Sequence, residues 1–270
     1  MAWLDSDVEF NPDTFNNVVV GVQAQFCDHD SGLHQHSMSQ ILFARQGCVT
    51  LSMNNGSLIC LLPPSRAAWI PAGLSHRAEM KKCVDYRSIW FDTRNFPFLP
   101  FTPAILNVSP LLFEIMERIS EQPWDTHWDT VPYCYLVRLC EAEICAAAHE
   151  PMILKLPKDR RLTHLSYTEL PPTLQQLALY TGASEKTISR IFRRDTGMSF
   201  LQWRQQWRLM KAVEMLCDGK RITDTAQLLG FASDSAFIYF FRSMTGVSPR
   251  KYFLGDIGTF NAYSRVSMPE

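Results

Sequence analysis

Residues 177–197 (LALYTGASEKTISRIFRRDTG) and residues 225–246 (TAQLLGFASDSAFIYFFRSMTG) are two versions of one pattern. Ala178 and Gly182 match Ala226 and Gly230 at an offset of 48. Phe192, Arg193, Thr196 and Gly197 match Phe241, Arg242, Thr245 and Gly246 at an offset of 49, so the second copy carries one inserted residue. Each copy reads as a helix, a tight glycine turn and a second helix, the layout of a helix-turn-helix unit.

In the first unit Leu174, Leu177 and Ala178 recur at helical spacing. Gly182 stands where the turn needs a left-handed residue, which only glycine supplies without steric cost. Ser184 is placed to cap the next helix. Ile188, Ile191 and Phe192 form that helix's core face, and Glu185, Lys186, Ser189, Arg190 and Arg193 lie opposite. Such a helix packs on its partner by one side and presents a polar, mostly basic side to a major groove. The second unit repeats this with Ala226, Leu229, Gly230 and Ser233, then Phe237, Phe240 and Phe241 as core. Residues 200–217 join the units as an amphipathic spacer, with Leu201, Leu209, Ala212, Val213 and Leu216 expected inward and Trp203 and Trp207 near that stripe. Two units on one frame reach successive grooves roughly 34 Å apart.

Residues from about 158 to 254 resemble the DNA-binding domain of the AraC/XylS family of bacterial transcription regulators, most tellingly in GFASDSAFIYFFRSMTGVSPRKYF. The resemblance implies base reading by Lys186, Ser189 and Arg190 in the first unit. In the second it implies Asp234, Ser235, Ile238 and Tyr239, with Arg193 and Arg242 for phosphate contact or domain packing. Many relatives carry a basic residue where Tyr239 stands, so this second reader is expected to make weaker, more apolar base contacts.

Composition supports a division of labour. The 270-residue chain suits two domains and has a net charge of −1. From Lys158 onward sixteen Lys and Arg face ten Asp and Glu, a net of +6, whereas residues 1–157 carry −7. The basic part is the one suited to phosphates; the acidic part suits sensing and dimerisation. No apolar run reaches membrane-spanning length, and the acidic N-terminus lacks a signal or transit pattern. The eight cysteines (Cys27, Cys48, Cys60, Cys83, Cys134, Cys140, Cys145 and Cys217) form no CxxC pair and read as small buried hydrophobes of a reduced, cytoplasmic protein. Cys140 and Cys145 are the weaker alternative, a redox pair.

Residues 18–92 alternate short β-branched and aromatic runs with turn signals, Asn54-Asn55-Gly56 among them, as in a barrel or sandwich. Two motifs sit inside: His34-x-His36-x3-Gln40-x6-Gly47 and Pro71-x-Gly73-x2-His76. They resemble the two motifs of the cupin barrel. That likeness implies that His34, His36 and His76 converge, either on a divalent transition metal or around a metal-free effector pocket. Gln40 occupies the position of the usual acid ligand, which weakens a metal site. Trp69, Trp90 and Phe43 are candidate lining residues or plain core.

Farther on, Leu111, Leu112, Ile115, Met116 and Ile119 form one helical stripe. Tyr133, Leu136, Val137, Cys140 and Ile144 form another. These helices either pack on the barrel or make a dimer seam, the role of this position in the family.

The expected fold is α+β with two domains: a cupin-like sensor barrel (1–105) with a helical dimerisation segment (106–150), then a linker and first helix (151–172). An all-α double helix-turn-helix domain (173–256, motifs about 174–195 and 222–245) and a tail (257–270) complete it. The stretch 159–173 looks short for the family's usual first helix.

The expected function is a non-enzymatic, effector-responsive transcription regulator, activator or repressor. Its partners are promoter DNA, a small molecule, a second copy of itself and RNA polymerase. The histidine pattern with LPPSRAAWIPAGLSH resembles the subset that governs drug-efflux genes, including 2-nitroimidazole export, so an adjacent transporter gene is the expected target. The alternatives are a metal-responsive regulator and, from another class, a metal-dependent cupin enzyme fused to a DNA-binding domain.

Overall fold

The computed structural model describes residues 3–5, 10–150, 152–163, 165 and 170–254. The expected tail, 257–270, lies outside them.

Among the described residues nine strands precede the first long helix: β1 (Val19–Phe26), β2 (His29–Asp30), β3 (Ser39–Gln46), β4 (Val49–Met53), β5 (Leu58–Leu62), β6 (Arg66–Ile70), β7 (His76–Met80), β8 (Val84–Phe91) and β9 (Ala104–Asn107). After helices α1 (Pro110–Ser120) and α2 (Tyr133–Ala146) come two short strands, β10 (His149–Glu150) and β11 (Ile153–Lys155). They build two antiparallel sheets, in the orders β1-β8-β3-β6-β9-β10 and β11-β5-β4-β7-β2.

Side-chain alternation along each strand separates two cores. Val20, Val22, Leu42, Tyr86 and Trp90 pack inward against Leu51, Met53, Ala78 and Met80 of the opposite sheet. The other face of the larger sheet carries Ile41, Phe43, Trp69, Ile89 and Phe91, which α1 and α2 cover. The approach of α1 is close: a Cβ at Gly21 would lie 2.7 Å from the Ile119 carbonyl oxygen. Trp69 and Phe43 are therefore helix-facing core, away from the histidines.

Both expected helical stripes are spent on this packing. Leu112, Ile115, Met116 and Ile119 are buried, as are Val137, Cys140 and Ile144, while Leu111 is half-exposed. Strand β9 crosses the expected 105/106 boundary, and β11, inside the expected linker, pairs with β5. Burial of apolar Ile153 and Leu154 along the sheet edge accounts for this strand. Among the described residues of 159–172 the regular structure is one 3-10 turn, Arg160–Leu162.

The C-terminal part is helical: α3 (Leu174–Thr181), α4 (Glu185–Thr196), α5 (Phe200–Cys217), α6 (Ile222–Leu228), α7 (Asp234–Thr245) and α8 (Pro249–Leu254). Gly182 ends α3 at φ 63°, and the Ser184 side chain accepts from the Thr187 amide to start α4. The inserted residue of the second copy falls in its turn, between Gly230 and the N-cap Ser233. Spacer α5 buries Phe200, Trp203, Trp207, Met210 and Val213. Leu201, expected inward, is exposed, because it lies about 200° around the helix from Trp203.

The two parts share one apolar core. The Trp203 indole donates to the Lys155 carbonyl at 2.8 Å. Arg66 of β6 pairs with Glu150 at 2.6 Å and stacks 4.6 Å from the Tyr252 ring of α8. Of the cysteines, Cys27 bonds to Cys83 and Cys48 to Cys217, which departs from the reading of all eight as free thiols. These partners are brought together by tertiary folding across separations of 56 and 169 residues, where no spacing rule applies. Cys140 is buried and Cys145 exposed, both free, so they are not a bonded pair.

Candidate nucleic-acid interface and histidine pocket

On α4, burial of Ile188, Ile191 and Phe192 turns the opposite side outward. Lys186, Arg190 and Arg193 are exposed at i, i+4 and i+7, with Ser189 half-buried beside them. Lys186 and Arg190 have no hydrogen-bond or ion-pair partner among the described residues, whereas Arg193 reaches the Gly197 carbonyl at 3.4 Å. Arg194 belongs elsewhere; it pairs with Asp195 and Asp159 and helps hold the segment before α3.

Helix α7 presents Ser235, Tyr239 and Arg242 in the same positions at an offset of 49, all exposed. Its other two expected readers are drawn away. Asp234 accepts from the Thr223 hydroxyl at 2.7 Å, and Ile238 packs on the second unit's core. The outward stripe of α4 thus carries three cations and that of α7 one. Spacing alone does not separate half-buried Ile238 from exposed Tyr239, because helix tilt against the core sets that difference.

In the barrel, a cavity of about 490 Å³ is lined by His34, His36, His76, Gln40, Tyr86 and Trp90, with Phe10, Phe26 and Met80 adding apolar wall. His34 and His76 meet in an isolated antiparallel bridge, which draws the two motifs together. One ring nitrogen from each of the three imidazoles lies within 4.8 Å of the others.

Each imidazole is oriented by a backbone carbonyl at Nδ1: Gly32 for His34 (3.0 Å), Met38 for His36 and Leu74 for His76 (2.9 Å). A carbonyl only accepts, so the proton sits on Nδ1 and the Nε2 lone pairs are left to the pocket. The Trp90 indole donates to His36 Nε2 at 3.1 Å. His76 Nε2 is buried with no partner among the described residues. Burial lowers the pKa of His36, and that of His76 to about 4, so both rings are neutral at pH 7.

Gln40 Oε1 stands 3.1 Å from His36 Nε2, while Gln40 Nε2 donates to Ser88 Oγ at 2.7 Å and Tyr86 OH at 3.3 Å. Tyr86 and Ser88 thus join Trp90 at the site, although neither belongs to the two motifs. Period-two alternation in β8 places all three on one face, a signal already present in YRSIWF.

Residues 177–254 match the family described as a helix-turn-helix domain. The HTH-type transcriptional regulator NimR of Escherichia coli K12 is 26% identical over 254 residues, covering 90% of each chain. The chain thus ends in a helix-turn-helix domain and resembles transcription regulators of the AraC type. A second relative, the HTH-type transcriptional regulator RipA of Corynebacterium glutamicum, is 36% identical over 90 residues, 33% of this chain and 27% of that one. Among solved structures, ToxT from Vibrio cholerae is 9% identical over 88% of this regulator and 98% of that chain, with a TM-score of 0.35. No helix among the regulator's described residues is long and apolar enough to cross a membrane.

Proposed function

We propose that this regulator binds promoter DNA in a sequence-specific manner through α4 and α7 and receives a small-molecule effector in the histidine-lined cavity. The observation that carries the reading is the pair of matching outward stripes, Lys186/Arg190/Arg193 and Ser235/Tyr239/Arg242, on helices sharing the α5 frame. Base reading falls on Lys186, Ser189, Arg190, Ser235 and Tyr239, and phosphate contact on Arg193 and Arg242. Asp234 and Ile238 serve reading only at the cost of their present contacts. Effector binding shifts the population between arrangements of different DNA affinity.

The regulator acts in the cytoplasm as a homodimer, and its target is an adjacent efflux transporter gene. That target rests on the likeness of its histidine pattern and LPPSRAAWIPAGLSH to regulators of drug-efflux genes. The domain limits we propose are those read from the sequence, with β9 to Asn107, β10 and β11 added to the barrel.

A second reading, a metal-responsive regulator, is favoured by one observation: all three Nδ1 atoms are held by carbonyls, which is how histidine metal ligands are oriented. His34, His36 and His76 would hold a divalent transition metal, which would supply a Lewis-acidic anchor for an effector. The residues fit in donor type. In geometry they need closure, because metal–nitrogen bonds near 2.1 Å place ligands about 3.4 Å apart. The Trp90 N–H must also leave His36 Nε2.

Footprinting the purified regulator on the DNA flanking its own gene, with and without added Zn²⁺, tests both readings. Protection over two successive major grooves is expected. No protection at low salt, where even non-specific binding appears, overturns the DNA-binding reading. Metal-dependent protection selects the second reading over a metal-free pocket.

A further inference from the structure

Four of the eight cysteines meet at one corner of the molecule. Cys27 at the end of β1 is joined to Cys83 just before β8, with Cα atoms 4.0 Å apart. Gly47, which leads into Cys48, lies against that same strand; a Cβ there would come within 2.7 Å of the Cys83 carbonyl oxygen. Cys48, in the turn between β3 and β4, bonds to Cys217, the last residue of α5, with Cα atoms 6.5 Å apart. Both Cys48 and Cys217 are half-buried, within reach of small solutes. Beside them, Lys82 pairs with Asp218 at 3.1 Å, with side chains 62% and 35% exposed.

Among the described residues this is the only side-chain covalent cross-link between the barrel and the helical domain. It grips α5 at the end that carries the second helix-turn-helix unit, since α6 and α7 begin just beyond Cys217. The N-terminal half of α5 is held on the barrel separately, by the Trp203 indole. When the cysteines are thiols, the direct polar link at the C-terminal end is the Lys82–Asp218 pair, and exposed ion pairs are weak. When they are bonded, the spacer is fixed at both ends.

We infer that Cys48 and Cys217 form a thiol–disulfide modification site through which oxidants reset the placement of the second DNA reader relative to the barrel. The inference rests on the DNA-binding reading above. The oxidant is a small-molecule disulfide. The thiolate of one cysteine attacks it and expels one thiolate; the other cysteine attacks the resulting mixed disulfide and expels the second. Two protein thiols are oxidised, and the reagent is reduced to two thiols that take the two protons. The chemistry belongs to this pair rather than to Cys60 or Cys140, whose thiols are fully buried and held protonated by that burial.

The test uses the full-length regulator, kept in dithiothreitol or oxidised with glutathione disulfide, and a DNA fragment that it protects. Peptide mass spectrometry reads the Cys48–Cys217 link, and titration reads affinity. The expected result is the linked peptide only after oxidation, with operator affinity at least threefold different between the two states. The difference should vanish in Cys217→Ser and persist in Cys145→Ser; Cys48→Ser replaces Cys217→Ser if the latter does not fold. Absence of the linked peptide, equal affinities in the two wild-type states, or a difference that survives in Cys217→Ser each overturns the inference. Loss of all DNA binding in both states of the wild type at low salt would instead remove the DNA-binding reading beneath it.

Discussion

The histidine pocket shows how burial sets chemistry one residue at a time. His76 has a pKa near 4 in the fold against 6.5 for the free side chain. Between those values the unfolded chain binds the extra proton, so stability falls as pH is lowered through this window. At about 1.36 kcal/mol per pKa unit, the metal-free regulator should lose ~2 kcal/mol from this group between pH 7 and pH 5. Urea unfolding at the two pH values measures the loss, and His76→Gln should shrink it; an unchanged slope in that variant would show that other groups carry the pH dependence.

The cationic stripe on α4 separates two roles in the same way. Arg190 is unpartnered among the described residues and stands mid-stripe, so Arg190→Ala should cost roughly 1–3 kcal/mol of operator binding and relax preference at one base pair. Arg193 sits a turn farther on beside the C-cap. Its alanine variant should weaken all sequences alike and lower the slope of affinity against salt. Binding titrations on operator and scrambled duplexes at two salt concentrations distinguish them, and equal effects on both duplexes for Arg190→Ala would remove it from the groove.

At the scale of elements, α5 is the frame on which the readers' spacing depends. Its N-terminus is closed by a capping box: Gln202 N donates to Ser199 Oγ at 3.2 Å, and Ser199 N donates to Gln202 Oε1 at 2.9 Å. The Ser199→Ala variant should be destabilised by ~1 kcal/mol, visible as a lower urea midpoint with an unchanged m-value. A midpoint equal to wild type would mean that packing of Phe200 and Trp203 holds this end without the cap. The elements also show how sequence legibility varies. The pattern in 177–197 and 225–246 is read correctly because helix period, glycine turns and serine caps act within a few residues. Leu201 is misread because an amphipathic stripe leaves about one residue of phase free, and the core chose Phe200.

For the whole molecule, the helical pair poses the assembly question. The faces read as apolar stripes are used up on the barrel, which leaves the outer side of α2. There Tyr135 and Leu139 are exposed at 69% and 44%, followed by exposed Ala142 and Ala146. Their 4-3-4 spacing is that of a helix-pairing seam. The Leu139→Glu variant should sediment as a monomer and unfold at the wild-type midpoint, because it touches no core. A dimeric Leu139→Glu variant would move the interface off α2.

The amino-acid string settles whatever depends on near neighbours. The doubled helix-turn-helix, the cations turned outward on α4, the strand-rich first half and the histidines at 34, 36 and 76 can all be read from it. Each rests on spacing, handedness or capping inside some twenty residues. Convergence is another matter. Whether Trp90 or Trp69 meets the histidines depends on which sheet face turns inward. Which side of α2 stays open depends on how the barrel takes up the other. That Cys48 finds Cys217 across 169 residues depends on how two domains dock, and burial of a shared apolar core drives that docking.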